Sequence, residues 1–437
     1  MDNSGSTAKI NIPTSRLAFI VGVVLMCLLI LARNVLKIGV PVILILIVAT
    51  FIATFGTKTE IVALAICCIP FGGAFQYKYA ILICILVYLV KYGHEIKIIW
   101  AVIPVLLMLV WEVLHAIGYA FSFVEYLRSF TEILLCLTLL LVSKKDIDYW
   151  FVIKALSIST LFILSAMFFN LFRESGYDIA AIFEGNYRFG ASDEAITSYG
   201  LNYNANQLGL MCNICTTCLL QKVIAKEHST FDIVLIVLIT MFGIMTMSRS
   251  FILNLAIMVI LFIFARKEDF AKKLKTLFYV VIIFALVFLL ANWIMPSVVD
   301  RFIKRFTETD DITNGRTDLL AFYNRHLLSN AKYSLFGLGG QDIAIKMLSI
   351  YGYEVNVPHN GIQEILVVWG IPGLLMFVVF IIATISSAKQ INKSSLSAYL
   401  VLILVFVFSL SGHIITSGTV LLAICLGYLS LCLIKKE

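Results

Sequence analysis

TLFYVVIIFALVFLLANWIM, the stretch Thr276–Met295, contains no charged side chain. Wound as an α-helix it would span about 30 Å, the thickness of a bilayer's hydrocarbon core. Arg266, Lys267, Lys272, Lys273 and Lys275 crowd just before it. A long apolar run with a basic flank on one side reads as a membrane-spanning helix whose basic end is cytoplasmic. The rest of the chain repeats this pattern. Apolar runs lie near Leu17–Ala32, Gly39–Phe55, Ile61–Phe75, Tyr79–Val90, Ile98–His115, Phe130–Val142 and Trp150–Phe172. They resume near Tyr203–Val223, Phe231–Met247, Phe251–Ala265, Gly361–Ile385, Ala398–Leu410 and Ser417–Leu433. The fold expected is an all-α polytopic membrane protein with about 12–14 transmembrane helices and a large, partly helical external loop. The lower figure applies if the short third and fourth runs form one re-entrant pair.

The composition agrees. Of 437 residues, 61% are hydrophobic and only 14% charged, with a mean hydropathy of +0.99. A soluble domain carries about 25% charged residues, so this apolar excess must face lipid. The net charge of +7 then marks cytoplasmic loops rather than a nucleic-acid surface. All ten cysteines lie in apolar runs. Cys212, Cys215 and Cys218 imitate a cluster-binding spacing, but on a helix they form one stripe and lack a fourth ligand, so helix packing is expected. The N-terminal segment shows no cleaved signal peptide.

Alternating outward from the Arg266–Lys275 connection puts both termini in the cytoplasm. Lys91/Lys97, Lys144/Lys145, Lys222/Lys226 and Lys389/Lys393 fall on the same side, while Arg33, Lys37, Lys78 and Arg128 run against the rule. One membrane domain, 1–437, is expected, with two long polar external segments at 173–202 and 296–360. Connections of this length are usually functional or disordered. The second contains two apolar-periodic stretches, from Asp318 and from Ile343, that read as short amphipathic helices of an ordered cap.

The external segments and turns concentrate arginine. Arg188 lies in the first segment, Arg249 in the tight turn Ser248-Arg249-Ser250, and Arg316 in Gly315-Arg316-Thr317-Asp318. A guanidinium's planar fork matches phosphate oxygens. The alternative is snorkelling, or an ion pair with Asp310, Asp311 or Asp318. Arg301, Lys304, Arg305 and Arg325 read as solvated surface charge. His359, between Pro358 and Asn360 where the second segment re-enters the membrane, is placed to accept a proton near neutral pH. His326, His413 and the Glu112–His115 pair are weaker candidates, and His94 and His228 fall in cytoplasmic loops. No phosphate-binding Gly-x-x-x-x-Gly-Lys-Ser/Thr loop occurs, which argues against a built-in ATPase. Asp310-Asp311 alone is weak evidence for a metal, so no metal and no cofactor are expected.

In order, the chain shows Arg188-Phe-Gly190, Asn202-Tyr-Asn-Ala-Asn206, Ser248-Arg249-Ser250 and Gly315-Arg316. Then come Phe336-Gly-Leu-Gly339, Pro358-His359-Asn360 and Gly370-Ile-Pro-Gly373. This order resembles the O-antigen ligase/polymerase superfamily of membrane glycosyltransferases; the helices before Trp150 match it in hydropathy only. The resemblance implies an all-helical enzyme of the bacterial cytoplasmic (inner) membrane that transfers glycan from undecaprenyl diphosphate on the external face, without metal. It implies that Arg249 and Arg316, with Arg188 less securely, hold the diphosphate, and that His359 is catalytic. Implied partners are undecaprenyl diphosphate-linked oligosaccharide, membrane lipid, and polysaccharide export and chain-length proteins. Between the two activities, a repeat-unit polymerase for O-antigen, capsule or exopolysaccharide is preferred, and an O-antigen ligase joining polymer to lipid A core is the alternative. A lipid-linked oligosaccharide flippase is the competing class. Transporters tend to carry mid-membrane charges and internal repeats; no convincing repeat is found here.

Overall fold

The computed structural model describes residues 13–118, 123–141, 147–184, 189, 201, 203–307, 316–338, 360–389, 396–410 and 419–433. All regular elements among them are helical. The first seven long helices are α1 (Thr14–Ile30, continued by a π turn over Leu31–Val35), α2 (Val42–Phe55), α3 (Lys58–Cys67), α4 (Tyr77–Tyr92), α5 (Val102–Gly118), α6 (Phe123–Leu141) and α7 (Tyr149–Glu174). A short α8 (Ile179–Glu184) leads to α9 (Ala205–Ile224), α10 (Thr230–Met245), α11 (Arg249–Ala265) and α12 (Phe270–Ile294). The helices α13 (Pro296–Thr307), α14 (Arg316–Leu328) and α15 (Ala331–Phe336) follow. The last are α16 (Gly361–Lys389), α17 (Leu396–Ser409) and α18 (Thr419–Leu433).

Each apolar run read from the sequence coincides with a helix. Among the described residues, five helices are long and apolar enough to cross a bilayer, and several shorter apolar ones pack beside them. The chain is a multi-pass membrane protein. Helix α12, which contains most of the opening stretch, buries none of its residues. Water could not wet so apolar a rod, so lipid must surround it. By contrast α9 is buried over most of its length, and it packs against α7, α10, α11 and α17. Its cysteines serve that packing: Cys215 Sγ contacts Thr160 Oγ1 at 3.4 Å and Cys218 meets the Tyr149 hydroxyl at 3.8 Å.

The α3–α4 pair settles how the short runs behave. At one end of α1, Arg16 pairs with Glu60 at 3.5 Å; at the other, Asn34 Nδ2 donates to the Ala74 carbonyl at 3.1 Å. The segment from Glu60 to Ala74, which is α3 plus a 3-10 turn over Pro70–Gly73, therefore runs alongside nearly all of α1. A re-entrant hairpin would turn back midway, so the two runs pack as two passes.

Polar groups gather at the two ends of the bundle, as burial costs dictate. At one end Asp148 caps α7 through Phe151 N (3.0 Å) and pairs with Arg16 (3.3 Å). Lys222 meets Asp232 there at 2.9 Å, and Gln221 Nε2 reaches the Ser397 carbonyl at 2.7 Å. The starts of α9 and α11, the close of α5 and the break in α16 lie at the opposite end, with helices α13–α15.

Candidate active site

Two groups of contacts organise that end. The first surrounds Arg249, the first residue of α11. The chain turns from α10 into α11 through Met247, whose φ of 47° is left-handed. Ser248 closes the turn: its Oγ accepts from Phe251 N at 3.3 Å as the helix N-cap and donates to Asn206 Oδ1 at 2.9 Å. Thr246 Oγ1 donates to the Gly243 carbonyl at 2.7 Å, and Asn254 Nδ2 to that of Ser250 at 2.6 Å. A Cβ on Gly243 would sit 2.4 Å from the Phe251 ring, so glycine lets that buried ring wedge between the helices. The asparagine run and the Ser-Arg-Ser turn are thus one unit. Half-buried Arg249 stands on it at a helix N-terminus, where backbone N–H groups and the macrodipole favour an anion. Phe189 joins the same unit, with its N–H on the Met245 carbonyl at 3.1 Å and its ring fully buried. Arg188, one residue earlier, lies outside the described residues.

The second group joins α14 to the start of α16. Asn360 caps α16, its Oδ1 accepting from Ile362 N (3.0 Å) and Gln363 N (3.1 Å). Gln363 Nε2 crosses to α14, donating to the Leu320 carbonyl at 2.9 Å and to Asn324 Oδ1 at 3.2 Å. Tyr323 and Glu364 are fully buried beside each other. Burial pushes the Tyr323 phenol up, and the nearby Glu364 carboxylate adds to the shift. Arg316 is the first residue of α14, but its side chain is outside the described residues. So is His359, one residue before the cap Asn360. The described contacts therefore bring Phe189, the neighbour of Arg188, to the Arg249 turn, and Asn360, the neighbour of His359, to the helix that Arg316 begins. The Asp310–Asp311 pair, the stretch from Ile343 and His413 are likewise outside the described residues.

Helix α16 is not continuous. At Gly370 the backbone takes φ 69°, ψ −168°, and at Gly337, just past α15, φ 70°, ψ −174°. Both lie in a region reserved almost wholly for glycine. The two turns press together: Leu338 N donates to the Val367 carbonyl at 2.7 Å. A Cβ on Gly337 would fall 2.5 Å from the Val368 oxygen, and one on Gly370 2.4 Å from the Leu335 oxygen. Alanine at Gly337 or Gly370 is expected to lower stability by about 1–3 kcal/mol from backbone strain alone, and further through the clash with backbone that cannot retreat. Thermal unfolding of the detergent-purified protein checks this. Gly39→Ala, where a Cβ meets nothing within 4 Å, is the control.

Three groups in this area were undervalued or missed by sequence reasoning. Glu364 and Gln363 were hidden in an apolar run, and a buried acid one turn after a helix cap was the available signal. The pair Glu112–His115, with Nδ1 4.0 Å from Oε2, reaches beyond its own helix. Trp369 Nε1 donates to Glu112 Oε2 at 2.8 Å, Trp111 Nε1 to the Trp369 carbonyl at 2.9 Å, and His115 Nε2 bonds the Phe336 carbonyl.

A multi-helix bundle with Arg249 in a capped turn and capped helices at one end defines the class, an all-α multi-pass membrane protein. Residues 234–378 match the model of the O-antigen ligase family, a match that supports a relation to the O-antigen ligase/polymerase superfamily. The match supports a glycosyltransferase-type activity and a lipid-linked saccharide partner in general. The match includes Arg249, Arg316 and His359 and excludes Arg188 and α5. No curated protein matches the chain.

Proposed function

We propose that the chain is an oligosaccharide repeat-unit polymerase that uses an undecaprenyl diphosphate-linked donor on the external face of the bacterial cytoplasmic membrane. The observation that carries this reading is the Ser248 turn, which presents Arg249 at a helix N-terminus within the family-matched segment. Arg249 and Arg316, with Arg188, would hold the diphosphate and stabilise its charge as the glycosidic bond breaks. His359 would take the proton from the acceptor sugar hydroxyl. Single displacement from the face opposite the leaving diphosphate inverts the anomeric centre, and so good a leaving group needs no general acid.

A cavity of about 410 Å³ between α16, α17 and α18 supports a lipid-linked donor. It starts at Gly361 and Ile362, just past His359, and continues along Phe377, Ile381, Leu402 and Phe406. Such a lining suits an isoprenoid chain whose diphosphate stays at the polar end. The family's description names O-antigen ligase, so the second reading is a ligase that moves finished polymer to lipid A core.

One experiment separates them. Cells lacking the protein should accumulate single repeat units on external carrier lipid, and the purified protein should join defined undecaprenyl diphosphate-linked units. Full-length polymer stranded on carrier lipid would instead identify the ligase, and units trapped inside the cell a flippase.

A further inference from the structure

We propose that Trp111, Glu112 and His115 of α5 are positioning residues that hold the second half of the site in register. The proposal rests on the glycosyl-transfer reading above for its catalytic consequence, but not for its geometry.

A helix leaves its last carbonyls without intrahelical partners, and inside a membrane such groups must find donors elsewhere. Two helix ends meet beneath the polar end of the bundle: Trp369, the last residue before the break at Gly370, and Phe336, the last residue of α15. Both carbonyls are met from α5. Trp111 Nε1 donates to Trp369 O at 2.9 Å, and His115 Nε2 bonds Phe336 O. A carbonyl only accepts, so that imidazole nitrogen must carry its proton. Glu112 Oε2 closes the triangle by accepting from Trp369 Nε1 at 2.8 Å. The rings complete the joint: Trp111 stacks on Phe336, with centroids 6.0 Å apart and planes 14° from parallel, and meets the His115 imidazole edge-on at 5.4 Å. Glu112 is fully buried and His115 nearly so. A surface salt bridge would have neither that burial nor two partners across a helix break.

The two ends held by α5 belong to the two parts of the polar segment that matter. The half-helix Gly361–Trp369 has Asn360, neighbour of His359, at its far end. It behaves as a rod of about 14 Å, so a tilt at Trp369 is delivered to the cap. Phe336 ends α15, which follows α14 and its first residue Arg316. The clamp lies outside the family-matched segment 234–378, so it is this chain's own N-terminal half that steadies that segment. An error of about 1 Å in a reacting group can cost about 10²-fold in rate.

The test uses full-length protein in lipid nanodiscs, with Trp100, Trp150 and Trp293 replaced by phenylalanine so that only Trp111 and Trp369 emit. His115→Ala should shift emission to longer wavelength as Trp111 loses its packed partner. It should also lower turnover of a defined undecaprenyl diphosphate-linked donor by about 10–10²-fold per folded protein. His115→Gln, which restores an N–H at the Nε2 position, should return both readings to within a few-fold of the parent. Glu112→Gln keeps an oxygen for Trp369 and should stay near parental in both, whereas Glu112→Leu should behave like His115→Ala. Parental emission in His115→Ala would overturn the clamp. Shifted emission with parental turnover would overturn its positioning role, and so would a turnover loss that glutamine does not repair. If the parent protein itself transfers no glycan, the enzymatic reading fails, and the emission comparison still decides the clamp.

Discussion

Arg249→Ala and Arg316→Ala will each abolish polymer formation, with protein abundance in the membrane close to that of the parent. The expected loss per arginine is at least about 10²–10³-fold, the cost of removing one preorganised donor from a developing anion. Both residues open a helix, where the backbone N–H groups and the macrodipole favour an anion. Abundance should survive because the turn is held by other atoms: Ser248 caps α11, Asn206 ties it to α9, and Phe251 fills the space left by Gly243. Arg249→Lys and Arg316→Lys discriminate the cause. Lysine keeps the charge but offers a point in place of a two-pronged fork, so rescue should be poor at both positions. Full activity with lysine at both would mean that electrostatic attraction suffices and no bidentate clamp exists. Quantifying lipid-linked products in membranes of matched protein content measures the effect.

The bundle was legible in the sequence because lipid exposure is decided run by run. Thr276–Met295 reads as a span from its own residues, and α12 indeed buries nothing. The tight turn at Ser248 was legible for the same reason, since it lies between two apolar runs; that Ser248 and Asn360 cap their helices was not read, although Ser and Asn before an apolar helix act locally. The break at Gly370 was not. Trp369-Gly-Ile-Pro372 sits within a run that hydropathy treats as continuous, and only the approach of Gly337 from another segment forces the backbone there into a glycine-only conformation. The same limit hid the role of Glu112 and His115. Their spacing announces a pair on one helix face, but their partners, Trp369 and Phe336, stand more than two hundred positions away. Helix-forming tendencies do not contain such contacts, and one chain's sequence offers no local signal for them. What the sequence did offer was a mismatch, a buried-type acid and histidine in an otherwise apolar span, and in a membrane that mismatch reads as a request for a partner.

His359 separates a chemical from a structural role most sharply. If its imidazole takes the acceptor hydroxyl's proton, His359→Ala should lower the transfer rate by about 10²–10⁴-fold. Donor affinity should change little if, as proposed, arginines hold the diphosphate. His359→Gln keeps a hydrogen-bonding group but accepts no proton usefully, so it should be about as inactive as the alanine variant. The pH dependence follows from the protonation state. Only neutral imidazole is a base, so the parental rate should rise with pH through the histidine's titration, near about 6.5 for an unperturbed side chain. The fully protonated form at lower pH should be inactive, and the rise should vanish in both variants. The structural alternative has a real basis, since the very next residue, Asn360, caps α16, and Gln363 ties that cap to α14. A histidine that merely braced this junction would tolerate glutamine and give a profile flat across this range. Among the described residues, the cap's bonds come from Asn360 and Gln363. Rate measurements on a defined undecaprenyl diphosphate-linked donor therefore decide the point: a fully active His359→Gln protein would remove the histidine from the mechanism and leave the acceptor's proton to another group at the same end of the bundle.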